Sequence, residues 1–172
     1  MKKLKLSQER LWSLQLKSNK AYVGDYKGRL FIVDLISKKL VKKIDFGKQF
    51  YSKDKRIKEG LGPSTWVLET IKNKIIVANR WGGIFVLKNN KIIKKFQTKE
   101  SFTRGQKIKN NKMLFGTRTG KIFTFNLKNG KLELMFKFKK SYQKENAIYG
   151  IHKFKNHYWV CFADGDLIKI KL

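Results

Sequence analysis

The sequence predicts an all-β fold assembled from four copies of one short strand–turn–strand unit, and two observations carry the prediction. The stretch 12–35, WSLQLKSNKAYVGDYKGRLFIVDL, reads as three strands separated by two turns. Its pattern returns three times when Gly28 is aligned with Gly82, Gly120 and Gly165. Five residues before these anchors stand Val23, Val77, Phe115 and Val160, and four before stand the small residues Gly24, Ala78, Gly116 and Cys161. Two after come Leu30, Ile84, Ile122 and Leu167. The second observation is the period. The anchors lie 54, 38 and 45 residues apart. A repeat near forty residues that holds strands and no helix is the spacing of β-propeller blades.

Each element has a local reason. The anchor glycines fall in tight hairpin turns between β-rich runs, where φ must be positive and a Cβ is costly. The small residue four before each anchor marks a close approach of neighbouring sheets. In blade 1, covering 12–46, the strands are expected at 12–17, 21–26, 29–35 and 40–46. A basic insertion, GKQFYSKDKRIKEGLGPST, carries the one proline, Pro63, accounts for the longest spacing and has room for one short helix. Blade 2 covers 66–97, with 92–96 as its outer strand; blade 3 covers 104–138, closed by 132–138. After a second basic loop, KKSYQKENA, blade 4 runs from 148 to 172 and stops after its third strand. The segment 1–6 alternates polar and apolar residues and is expected to supply the missing outer strand, joining the termini and covering a sheet edge. One domain of four four-stranded blades closing on itself is the economical arrangement; two chains sharing an eight-bladed ring is the alternative.

VGDYKGRLFIVDLISKKL and FGTRTGKIFTFNLKNGKL resemble the repeats of WD40 and quinoprotein-type (PQQ-like) propellers, and the likeness extends over nearly the whole chain. It implies an architecture rather than an activity, because propellers carry many functions. Trp12 and Trp66 begin two blades as in quinoproteins, but Arg104 and Tyr149 stand at the corresponding places in the others. A quinone is therefore not implied, and no cofactor is expected.

Charge narrows the partner. The chain holds 41 Lys plus Arg against 12 Asp plus Glu, a net charge of +29. Lys, Asn, Ile and Phe are abundant in the manner of AT-rich coding, but such coding also supplies Asp and Glu, which are few. The imbalance points to an anionic partner. The single cysteine, Cys161, excludes an intrachain disulfide and suits a reducing compartment. No apolar run approaches a membrane span, and MKKLKLSQER has no hydrophobic segment of a secretory signal, so a cytoplasmic location is expected.

Propeller topology places interblade loops and the middle hairpins on one face. Arg10 and Arg104 sit at first-strand entrances, Arg29, Arg80 and Arg118 in middle hairpins, and Arg56 in the insertion; all six fall on that face. Tyr26, Trp81, Phe102 and Tyr142 share it, with Phe50 and Tyr51 in the insertion. Arginine grips phosphate with a planar fork, and interleaved aromatic rings suit stacked bases. The competing reading is that these arginines cap hairpins and cover loop roofs. Thirteen residues before the anchors, Gln15, Glu69, Lys107 and His152 form a candidate polar ring around the axis. A self-satisfied hydrogen-bond belt is the simpler account of it than an acid/base site. His152, His157 and Cys161 have no carboxylate cluster with metal-ligand spacing, and Asp164-Gly165-Asp166 reads as a turn, so no metal is expected. The expectation is a non-catalytic, basic binding module for a phosphate-rich partner, RNA or a ribonucleoprotein first and DNA or a charged nucleotide second. A scaffold for an acidic protein and a small enzyme using Glu69, Lys107 and His152 are the alternatives.

Overall fold

The computed structural model describes residues 4–109, 111–138 and 146–171. The first sheet contains β1 (Leu11–Lys17), β2 (Lys20–Asp25), β3 (Arg29–Asp34) and β4 (Lys39–Asp45). Two short helices follow, α1 (Phe46–Phe50) and α2 (Lys55–Lys58). The second sheet contains β5 (Thr65–Ile71), β6 (Lys74–Asn79), β7 (Gly83–Lys88) and β8 (Lys91–Gln97). The third contains β9 (Phe102–Lys109), β10 (Lys112–Thr117), β11 (Lys121–Asn126) and β12 (Leu132–Lys137). The fourth contains β13 (Ile148–Phe154), β14 (His157–Phe162) and β15 (Leu167–Ile170). Every pairing is antiparallel between sequential neighbours, and the sheets stand around an axis as the blades of the expected β-propeller.

The repeat pattern becomes a packing code. Second and third strands such as β6 and β7 are nearly continuous apolar runs because both of their faces are covered, whereas outer strands such as β8 are mostly exposed. The residues six before and two after each anchor face the next blade; those seven and five before, and three after, face the previous one. Tyr22 and Leu30 of blade 1 thus meet Ile75, Val77 and Phe85 of blade 2. Ile76 and Ile84 meet Met113 and Phe115 of blade 3. Leu114 and Ile122 meet Tyr158 and Val160 of blade 4. A fourth cluster, Ala21, Val23, Phe31 and Val33, lies on the backward face of blade 1 and is joined by Leu6.

The anchors Gly28, Gly82, Gly120 and Gly165 have φ of 78°, 80°, 72° and 94°, the left-handed conformation their turns require. The small residues four before them also sit as expected. A Cβ on Gly24 would lie 2.7 Å from the Thr65 Cβ, and one on Gly116 would lie 2.9 Å from the Ile148 Cβ.

Two features differ from the sequence reading. The insertion holds two helices rather than one, because two aspartates cap them: Lys48 N donates to Asp45 Oδ1 (2.9 Å) and Arg56 N to Asp54 Oδ1 (3.0 Å). Phe46 of α1 is fully buried against Phe85 at 4.4 Å between ring centroids, so the insertion is rooted in the core between blades 1 and 2. The second difference concerns closure. Among the described residues the fourth sheet has three strands, and residues 4–7 form no strand. Leu6 turns instead onto the apolar backward face of blade 1. Residues 1–3 of the expected closing strand lie outside the described residues.

Candidate functional site

Tyr26, Arg80 and Arg118 occupy the same place in three blades, two residues before the anchor. Each is pinned through its backbone: Tyr26 N donates to Arg10 O (3.0 Å), Arg80 N to Pro63 O (2.9 Å) and Arg118 N to Ser101 O (3.1 Å). Behind each sits a fully buried polar residue, Asp25, Asn79 or Thr117, whose side chain accepts from the N–H just after the anchor. These caps make the hairpin tips firm supports for the side chains above them. The three tips converge on one cleft of about 170 Å3, with Trp12, Trp66 and Tyr149 from the first strands also lining it.

The wall of that cleft is aromatic. Trp12 stacks on Trp66 with centroids 4.9 Å apart and planes at 16°, and Trp66 lies 6.4 Å from Tyr149. Trp12, Trp66, Arg104 and Tyr149 stand at one repeat position, sixteen before the anchor, so the four blades each send one large side chain toward the axis. Arg104 lies 6.0 Å from the Trp66 ring centre and 5.9 Å from that of Tyr149; its Nε donates to Tyr149 O and its Nη1 to Thr103 O (2.8 Å). Burial lowers the Arg104 pKa, with Cys161 and Tyr149 opposing, and the guanidinium stays a cation fixed to the protein.

A second cleft of about 770 Å3 adjoins the first and shares Tyr26, Arg80, Ser101 and Arg118 with it. Its far wall is Trp81 with the insertion folded against it. The Arg56 guanidinium lies 3.9 Å from the Trp81 ring centre and Tyr51 meets that ring edge-on at 5.3 Å. Asp54 holds Arg56 through Nε (2.9 Å) and Nη2 (2.6 Å), and these bonds lower the Asp54 pKa to about 2. Burial raises the Tyr51 pKa.

The structure therefore gathers Tyr26, Arg56, Arg80, Trp81 and Arg118 around two joined clefts, with Arg104 at the axial end. Arg29 and Arg10 line neither. Arg29 is bound inward, its Nε on buried Asp25 Oδ2 (2.6 Å) and its Nη2 on Ser7 Oγ (2.8 Å). Arg10 is exposed just before β1. Phe102 is fully buried in the core between blades 2 and 3, and Phe50 packs on Phe85 with ring centroids 4.9 Å apart, so neither lines the clefts. Tyr142 lies outside the described residues. Lys99, which lines the second cleft, and the Trp12–Trp66 stack were not singled out as site residues from sequence; the shared position of the two tryptophans was the available signal.

The expected axial ring forms in part. Gln15, Glu69 and His152 line a cavity of about 360 Å3 together with Gln106, while the exposed Lys107 side chain does not. Glu69 Oε2 accepts from Thr70 N (3.0 Å), and its Oε1 accepts from Gln106 Nε2 (3.4 Å) and Lys107 N (3.3 Å). Backbone and amide donors, not the Lys107 ammonium, satisfy this carboxylate. Among the described residues no group of three or more His, Cys, Asp or Glu is placed to hold a metal.

No protein-family model and no curated protein matches the chain. Solved structures do. The computationally designed Ika4 protein is similar with a TM-score of 0.70 at 14% identity, over 99% of this chain and 96% of that one. Saccharomyces cerevisiae Sqt1 gives 0.70 at 12% identity, over 96% of this chain and 46% of its own. Chaetomium thermophilum Raptor gives 0.70 at 15%, over 95% of this chain and 16% of its own. The chain thus spans less than half the length of Sqt1 and about a sixth of Raptor. At such identities the likeness is one of fold alone, that of a β-propeller.

Proposed function

We propose that this propeller is a non-catalytic binding module for a phosphate-rich partner, RNA or a ribonucleoprotein assembly, engaged through the two joined clefts. The observation that carries the reading is the convergence of Arg80 and Arg118, from equivalent hairpin tips of neighbouring blades, on the rings of Trp12, Tyr26 and Tyr149. Guanidinium groups carried on backbone-pinned hairpin tips beside aromatic rings offer phosphate contacts and stacking together, the combination single-stranded nucleic acid uses. The net charge of +29 adds long-range attraction that is independent of sequence. The alternative partner, an acidic protein, uses the same charge but has no need of the aromatic wall. Filter binding of a single-stranded RNA and of a polyglutamate of matched charge separates the two. RNA is expected to bind more tightly, and replacing Trp12 by Ala is expected to weaken RNA alone. Equal affinity for both polymers, unaffected by that substitution, would remove the case for nucleic acid.

A further inference from the structure

Among the described residues, the packing that joins each blade to the next is not repeated between blade 4 and blade 1. First strands of successive blades pack together, β1 on β5, β5 on β9 and β9 on β13, but neither β13 nor β14 makes a comparable contact with β1. The repeat supplies internal controls. Two residues after the anchor, on the forward face, Leu30, Ile84 and Ile122 are each 0% exposed, whereas Leu167 of blade 4 is 62% exposed. Fourteen residues before the anchor, on the backward face, Leu68 is 9% and Ile151 3% exposed, whereas Leu14 of blade 1 is 63% exposed. The anchor turns agree. A Cβ on Gly82 or Gly120 would strike the segment leaving the outer strand, at Thr98 or Phe138, while one on Gly165 would meet nothing within 4 Å. On the backward face of blade 1 the second- and third-strand residues Ala21, Val23, Phe31 and Val33 are already buried, with Leu6 packed on them, so the open part is the first-strand edge at Leu14. That edge and the forward face of blade 4 match the two halves of a contact this chain builds three times internally.

We propose that a second copy of this chain fills both faces, blade 4 of each copy docking on blade 1 of the other in a twofold, eight-bladed ring. Two observations choose this occupant. The faces are complementary by construction, since each already has a counterpart inside the same chain. The second is that Leu6 packs on the cluster of Ala21, Val23, Phe31 and Val33, much as Phe46, the residue that follows the outer strand of blade 1, packs on Phe85 of blade 2. Blade 1 therefore carries a piece of the preceding blade's outer edge, and docking would bring residues 4–7 alongside β15 of the other copy. The like charge of the two chains opposes association, so the ring should tighten as salt rises, the reverse of polyanion binding.

The register of the contact gives the test. The residue four before one anchor meets the residue seventeen before the next, as Gly24 meets Thr65 and Gly116 meets Ile148. By the same rule Cys161 of one copy meets Leu11 of the other. Sedimentation of the 172-residue chain should give twice 20.3 kDa, with the dimer favoured by added salt. The exposed-site variant Leu14→Arg with Leu167→Arg should sediment as a folded monomer. Under a mild oxidant Leu11→Cys should cross-link to Cys161 between chains and double the mass on a non-reducing gel. A wild-type monomer at every concentration and salt overturns the proposal. So does a Leu11→Cys protein that loses both thiols without doubling in mass, because the ring would then close within one chain. Absence of any cross-link rules out this interface.

Discussion

Arg80 and Arg118 can be tested against a control that lies on the same two strands. Changing both to Gln removes two charges from the cleft but keeps the backbone N–H bonds that pin their hairpin tips. If each guanidinium holds one phosphate of single-stranded RNA, log affinity against log salt should flatten by about 0.7 per contact, or about 1.4 for the pair. Between about 50 and 200 mM salt the native chain would then lose about sevenfold more affinity than the variant. Lys74 and Lys112 stand six residues earlier on the same strands, about 20 Å away at roughly 3.3 Å per residue. That is two Debye lengths at about 0.1 M salt, which leaves about a seventh of the interaction and a slope change near 0.2 for their double change to Gln. Filter binding across a salt series reads both slopes. Equal flattening by the two pairs would show that net charge alone drives association, and the clefts would have no special role.

Three further outcomes test the supports of the site. Asn79→Ala removes the buried oxygen that accepts from Trp81 N (3.0 Å) and Gly83 N (2.9 Å). Leaving those donors unpaired should cost about 2–3 kcal/mol, seen as a lower denaturant midpoint at constant slope; an unchanged midpoint means the cap is dispensable. Gly120→Val should cost about 1–3 kcal/mol for its positive φ, and more than Gly165→Val, where nothing crowds the new side chain. Equal melting points for the two variants would contradict the crowding seen at blade 3. Asp54 is held to a pKa of about 2 by Arg56, below its ordinary value near 3.9. The Asp54–Arg56 pair is therefore intact above pH 4 and is lost as pH falls toward 2. Tryptophan emission of the native chain and of Asp54→Asn should differ at neutral pH and converge over that window; convergence well above pH 4 would mean that the pair does not position Arg56 on Trp81.

Much of the fold was legible because its causes are local. Gly28, Gly82, Gly120 and Gly165 announce their turns by the φ they must adopt, and Val23 or Ile84 announces a buried strand by its neighbours two residues away. The caps were missed because Asp25, Asn79 and Thr117 share an acceptor oxygen and not a residue type. The site was legible only as a face. Arg29 and Arg80 both belong to middle hairpins, yet Arg29 turns onto Asp25 while Arg80 opens into the clefts. Which guanidinium finds a carboxylate depends on side-chain direction across the anchor turn, and a spacing rule carries no such information.

The sequence by itself determined the blade, its repetition and its turns, since strand patterning and turn chemistry act over a few residues. Only the tertiary structure decided what the blades enclose. Trp12, Trp66 and Tyr149 meet at the axis although they are far apart along the chain, and the insertion reaches Trp81 through Arg56. Closure lies further still from any local pattern. The angle between neighbouring blades follows from how side chains such as Phe46 and Phe85 interlock, and a small rotation at each contact accumulates over the arc. Whether Leu167 reaches Leu14 is set by that sum, which no single repeat contains.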